Sequence, residues 1–175
     1  MMDFPEEQVC LQAVHGPLKL DDVLFQAKKA GRLAPVQVVR ADRVCGDLHV
    51  RAAATHMWRA MAEGRNQADK PEVEFTRYLA GKRTIKEALA HVGVTDETTT
   101  GVVIGFGPQR GKAVEYFIEM LGLQEADLPG ATPETLRAFG ITPAAVAATT
   151  DERVLDLVLE AVAGVDLARC TSRKG

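Results

Sequence analysis

Three cysteines in 175 residues, Cys10, Cys45 and Cys170, are too few and too scattered for a disulfide framework, and none forms a C-x-x-C pair. Neither a disulfide-stapled fold nor a structural zinc site built on cysteine is expected. No apolar run approaches the ~18 residues that a membrane-spanning helix needs. The opening MMDFPEEQVC has acidic residues and no apolar stretch behind a basic start. It does not read as a secretory signal, and the expected compartment is the cytosol. Signatures of hydrolytic and metal chemistry, H-E-x-x-H and G-x-S-x-G, are missing as well. What is present is a chain with 46% hydrophobic residues, 26% charged residues and a net charge of −3, the balance of a globular domain. We expect one domain over residues 1–168, with a sheet-containing part to residue 122, a helical part over 123–168 and a flexible tail at 169–175.

The charges are unevenly placed. Residues 1–112 hold 16 Lys/Arg against 14 Asp/Glu, whereas residues 113–168 hold 2 against 10. Such a chain can offer a basic face to a polyanion and an acidic one to a basic protein, or it can simply carry a solvated acidic surface.

Alternating apolar residues Val9, Leu11 and Ala13 predict a strand over 8–15, and PVQVVR a second over 35–40. Residues 72–79, EVEFTRYL, also read as a strand, and the apolar run GVVIGFG at 101–107 as a fourth. Between them lie predicted helices: LKLDDVLFQAKKAG with Leu20, Val23, Leu24 and Ala27 inward; an alanine-rich helix from Asp47 with Leu48, Ala52 and Ala53 on a small face; and TIKEALAHVG, capped by Thr84 with Ile85, Ala88 and Leu89 inward. KAVEYFIEMLGL follows, and the last third is helical pieces broken by proline and glycine. The expected fold class is α+β: a small mixed or antiparallel sheet of about four strands packed with helices, plus an all-helical C-terminal third.

Catalytic groups are hard to assemble. His49, His56 and Glu63 repeat at intervals of seven on one helix, which separates neighbours by ~10 Å, too far for one metal ion. No metal site, cofactor or catalytic residue is assigned, and the chain is read as a non-enzyme. GFGPQRG, with Gly105, Gly107 and Gly111 between a strand and a helix, can cradle a phosphate or form a tight turn, and Pro108 removes one amide donor. AGKRTI fails as a Walker A loop because Thr76 stands where its first glycine belongs. More informative is VEFTRYLAGKRTIKEALAHVG, which gathers Arg77, Lys82, Arg83 and Lys86 around a glycine turn and a helix start, a place for one or two phosphates or an ordinary basic turn.

This passage, with ADRVCGDLHVRAAATHMWRAMAEGR before it, resembles the Cgi-type (TPRKB-like) subunit of the KEOPS complex, which makes threonylcarbamoyladenosine in tRNA. The resemblance lies in Asp47, Leu48, His49, Ala52 and Ala53, then Glu74, Tyr78, Gly81, Arg83, Ile85, Ala88, Leu89 and Gly93, and in the closing RVLDLVLEAVAGVDL. Thr84 stands where the family usually has glutamine. The resemblance implies a non-catalytic adaptor that binds the small atypical kinase/ATPase of the complex. It also implies engagement of the 3′ CCA end of tRNA, and indirect service to the threonylcarbamoyl transferase. Expected tRNA contacts are Arg77, Gly81, Lys82, Arg83, Thr84, Ile85 and Lys86, extended by Arg59 and Arg65. Expected kinase contacts are Leu155, Val158, Leu159, Val162 and Leu167, because the last helix is more apolar than one buried face requires, with partner cations facing Asp151, Glu152 and Asp156. A helix buried all round fits the same pattern. The other function class left open is a nucleotide- or metabolite-binding regulatory domain using Gly105–Gly111.

Overall fold

The computed structural model describes residues 8–171, with the side chains of Asp151 and of residues 167–171 outside that description. Its elements are β1 (Val9–His15), α1 (Leu20–Ala30), β2 (Val36–Arg40), α2 (Asp47–Ala62), α3 (Pro71–Ala80), α4 (Ile85–Val92), β3 (Thr100–Phe106), α5 (Arg110–Leu121), β4 (Gln124–Ala126), α6 (Pro133–Ala138), α7 (Pro143–Ala147) and α8 (Val154–Thr171). The four strands form one antiparallel sheet in the order β2-β3-β1-β4. β1 and β2 therefore run parallel with β3 between them, as do β3 and β4 with β1 between them. That is a pair of split β-α-β units, carried by α1 and α5, with the helices α2–α4 inserted between β2 and β3. The fold is α+β, as expected.

The pleat divides the core in two. Val14, Val36, Val38 and Val103 pack with Val23 of α1 and with Val114 and Phe117 of α5. On the opposite face Val9, Ala13, Val39, Val102, Ile104 and Phe106 pack with α2, α3, α4 and α8.

The predicted strand at 72–79 is a helix, α3. Pro71 occupies its first turn with Glu72 and Glu74, and Gly81 ends it in the left-handed region at φ 65°. Its periodicity was hidden because every residue from Glu74 to Ala80 is buried, so no polar stripe marks a helical face. The fourth strand is β4 instead, three exposed residues with no apolar pattern to announce it. Helix faces also differ from expectation. Leu20 and Leu24 of α1, Leu48 of α2 and Leu89 of α4 are exposed, while α2 buries Val50, Ala53, Ala54, Met57 and Ala60.

Candidate functional site

The turn between α3 and α4 is built by its own backbone. Gly81 N–H donates to the Tyr78 carbonyl at 3.2 Å and Lys82 N–H to the Arg77 carbonyl at 3.0 Å, the bond pair that closes a helix through a left-handed glycine. Thr84 then caps α4: its hydroxyl accepts the Glu87 N–H at 3.2 Å and donates to the Glu87 carboxylate at 3.1 Å. Lys82 is half-buried, and Arg83 and Lys86 are exposed beside the first turn of α4, where the amides of Ile85 and Lys86 lie. A cleft of about 270 Å³ opens here, lined by Gln67, Arg77, Arg83, Thr84, Glu87 and Val165.

Arg77 differs from the other cations of this cluster. It is 1% exposed and ion-paired with Glu74, itself fully buried, and its Nε donates to the Arg83 carbonyl at 2.9 Å. The second Glu74 oxygen accepts the amides of Gln67 and Ala68 at 3.0 Å each. One buried ion pair thus links the loop after α2, the body of α3 and the basic turn. Burial assigns Arg77 to holding the turn, and the solvent-facing charge there belongs to Lys82, Arg83 and Lys86. The i, i+3 spacing of Glu74 and Arg77 is the sequence signal of this pair.

The turn also leans on α8. A Cβ on Gly81 would stand 3.5 Å from the Ala161 carbonyl. Asp166 ties the same helix down further along, accepting from Tyr78 Oη and Arg65 Nη1 at 2.8 Å each, with His56 Nδ1 at 3.6 Å. Arg65 also contacts Glu63 at 2.5 Å, so it serves the packing of α8, whereas Arg59 is exposed on α2. Burial holds the Tyr78 hydroxyl in its protonated form, pushed up to about 12, with Asp166 adding to the effect.

Within α8, Val158 and Val162 are closed off from solvent and Leu155 packs on the small cluster of Cys45, Leu136 and Val158. Those three have packing roles. Leu157 and Leu159 are half-buried yet belong to none of the core clusters. The Leu167 side chain lies outside the described residues.

His49 has both ring nitrogens engaged: Nδ1 accepts the Cys45 N–H at 3.0 Å, so Nε2 carries the proton and donates to the Leu79 carbonyl at 2.9 Å. Burial brings its pKa down to about 4. It is a neutral cross-link between α2 and α3. In the glycine run Gly105 is closely packed, whereas Gly107 and Gly111 leave open space at their Cβ positions. Gly107 N–H donates to the Gln8 carbonyl at 3.0 Å, Arg110 Nη1 donates to the Gly107 carbonyl at 3.1 Å, and a Cβ on Gly105 would lie 2.7 Å from the Arg110 carbonyl. No helix among the described residues is long and apolar enough to cross a membrane.

The model of the family described as kinase binding protein CGI-121 matches residues 23–166, most of the chain. The chain belongs to the CGI-121 family. The match takes in every described element from α2 to β4 and reaches Asp166 on α8. It confirms the Cgi-type resemblance read from the sequence, and it makes this a chain of a kinase-binding family. A comparison with curated proteins finds no match.

Proposed function

We propose that this CGI-121 family chain is a non-catalytic accessory subunit of the KEOPS complex that binds two partners, the small kinase/ATPase subunit and the 3′ CCA end of tRNA. By doing so in the cytoplasm it supports threonylcarbamoyladenosine modification, bringing the tRNA within reach of the threonylcarbamoyl transferase subunit. The kinase half of the reading rests on the family match.

The observation that carries the tRNA half is the turn at 81–86. Lys82, Arg83 and Lys86 lie in and beside the N-terminal turn of α4, with Arg83 lining a cleft, on a backbone braced by buried Arg77. Cations and free helix amides suit the phosphates of a flexible single strand, whose unstacked bases can enter a cleft without any groove being read. So few charges give weak, salt-sensitive binding. The turn also packs on α8 at Ala161, and on this reading the tRNA contact adjoins the kinase helix.

Binding of whole tRNA and of the same tRNA trimmed of its CCA end, each at low and moderate salt, tests the reading. Affinity should fall on trimming and with added salt. Equal affinity for both RNAs would remove the CCA contact and leave kinase binding as the function supported.

A further inference from the structure

Strand β4 covers only part of the sheet edge on which it lies. In β1 the even-numbered positions exchange main-chain hydrogen bonds with β3, a register framed by Gly107 N–H to the Gln8 carbonyl at 3.0 Å and Gly16 N–H to the Thr99 carbonyl at 2.9 Å. Odd-numbered positions therefore face the other way, where Ala13 and His15 meet Ala126 and Gln124 of β4. Leu11 has the same parity. The β4 register would bring Leu128 opposite it, but the chain leaves the ladder after Ala126, and among the described residues no main-chain bond joins the two. Gln12 Nε2 closes the end of the ladder by donating to the Ala13 and Ala126 carbonyls at 2.8 and 3.1 Å.

Beyond that point the N–H and C=O of Leu11 look into an open cleft of about 500 Å³ between β1 and residues 125–128. A strand edge with an unused donor and acceptor is a template for one more strand. Glu125 and Asp127 flank it, both exposed and neither ion-paired among the described residues, and no cation lines the cleft.

We propose that this cleft docks an extended, lysine- or arginine-bearing segment of a partner protein, which adds a strand to β1 at Leu11. Main-chain pairing selects an extended peptide, and the two carboxylates select its charge. A second copy of this chain fits less well, since residues 8–12 carry no cation and a two-fold pairing would bring the Glu125 and Asp127 carboxylates of both copies to one interface.

Amide hydrogen exchange by NMR on the full chain tests this, with an end-blocked hexapeptide of alternating lysine and valine as the probe. In the protein alone the Leu11 amide should exchange quickly while those of Cys10 and Gln12 are protected. Saturating peptide should slow Leu11 about tenfold. The same peptide N-methylated at every residue, or with glutamate in place of lysine, should leave it unchanged. Glu125→Lys combined with Asp127→Lys should weaken the peptide about fivefold without altering Tm. Three results would overturn the proposal: equal binding of the N-methylated peptide, which leaves charge alone; a Leu11 amide already protected at all concentrations, which means this chain covers its own edge; and protection that grows with protein concentration, which means a second copy does.

Discussion

Arg77 holds the main chain of Arg83: its buried guanidinium donates from Nε to the Arg83 carbonyl at 2.9 Å while Glu74 takes its other side. The two arginines lie six residues apart and have opposite duties. One is closed off from solvent and fixes the turn, and the other is exposed on it. A charge inside the protein is tolerated because Glu74 neutralises it and two backbone amides complete the carboxylate.

Removing Arg77 should therefore affect stability before it affects binding. Arg77→Met strands the Glu74 carboxylate, and urea unfolding should register a loss of about 3–5 kcal/mol. Replacing both Glu74 and Arg77 by methionine should cost less than the sum of the two single changes. An additive pair would show that the ion pair is not what couples the loop to the turn.

Arg83→Glu, at an exposed site, should leave the unfolding curve within about 0.5 kcal/mol of the parent. It should weaken tRNA binding and reduce the slope of log affinity against log salt by roughly 1, the signature of one lost phosphate contact. Filter binding across a salt series reads both. A weaker affinity with an unchanged slope would move Arg83 away from the phosphates.

The legibility of this chain follows burial. β1, β2 and β3 were readable because Val9 to His15, Val36 to Arg40 and Thr100 to Phe106 are apolar or alternating runs bounded by turn residues. α3 was not, because a helix enclosed by the sheet, α2, α4 and α8 loses its polar stripe, and Val73, Phe75 and Tyr78 then imitate a strand. The basic turn could be found from its sequence alone, since Gly81 and the Thr84 cap are local signals. The separation of Arg77 from Arg83 could not, since it depends on Glu74 and on the loop that Glu74 holds.

On α8 the prediction concerns Leu159. Val158 and Val162 are core residues, so their substitution would unfold the helix from its bed and say nothing about a partner. Leu159→Asp should abolish co-purification with the kinase subunit, leave the tRNA affinity within about twofold and lower Tm only modestly. Loss of both binding activities together would mark a packing role for Leu159 instead.

Stability should fall as pH drops below neutrality. His49 has a pKa of about 4 in the folded chain against 6.5 for an ordinary histidine, so between those values the unfolded chain takes up a proton that the folded one refuses. Stability is then fully present above 6.5 and is lost towards 4. His49 alone accounts for about 2 kcal/mol between pH 6.5 and 5. His91 adds in the same direction, brought down to about 4 by burial and by the nearby cations Arg43 and Lys82. Urea midpoints across this range should decline for the parent, and His49→Gln should flatten the decline.

The glycine run offers a contrast within seven residues. At Gly105 a Cβ would meet the Arg110 carbonyl at 2.7 Å and Val114 Cγ2 at 2.8 Å, the close approach that lets α5 lie on β3. Gly105→Ala should destabilise by about 1–3 kcal/mol through overpacking. At Gly111, in the first turn of α5, a Cβ meets nothing within 4 Å. Gly111→Ala should raise stability by up to about 1 kcal/mol through helix propensity. A phosphate cradle would depend on both glycines and would show a rise in Tm with ATP. Because Gly107 has already given its amide to Gln8, no such rise is expected, and a nucleotide-dependent shift abolished by either substitution would return the turn to a binding role.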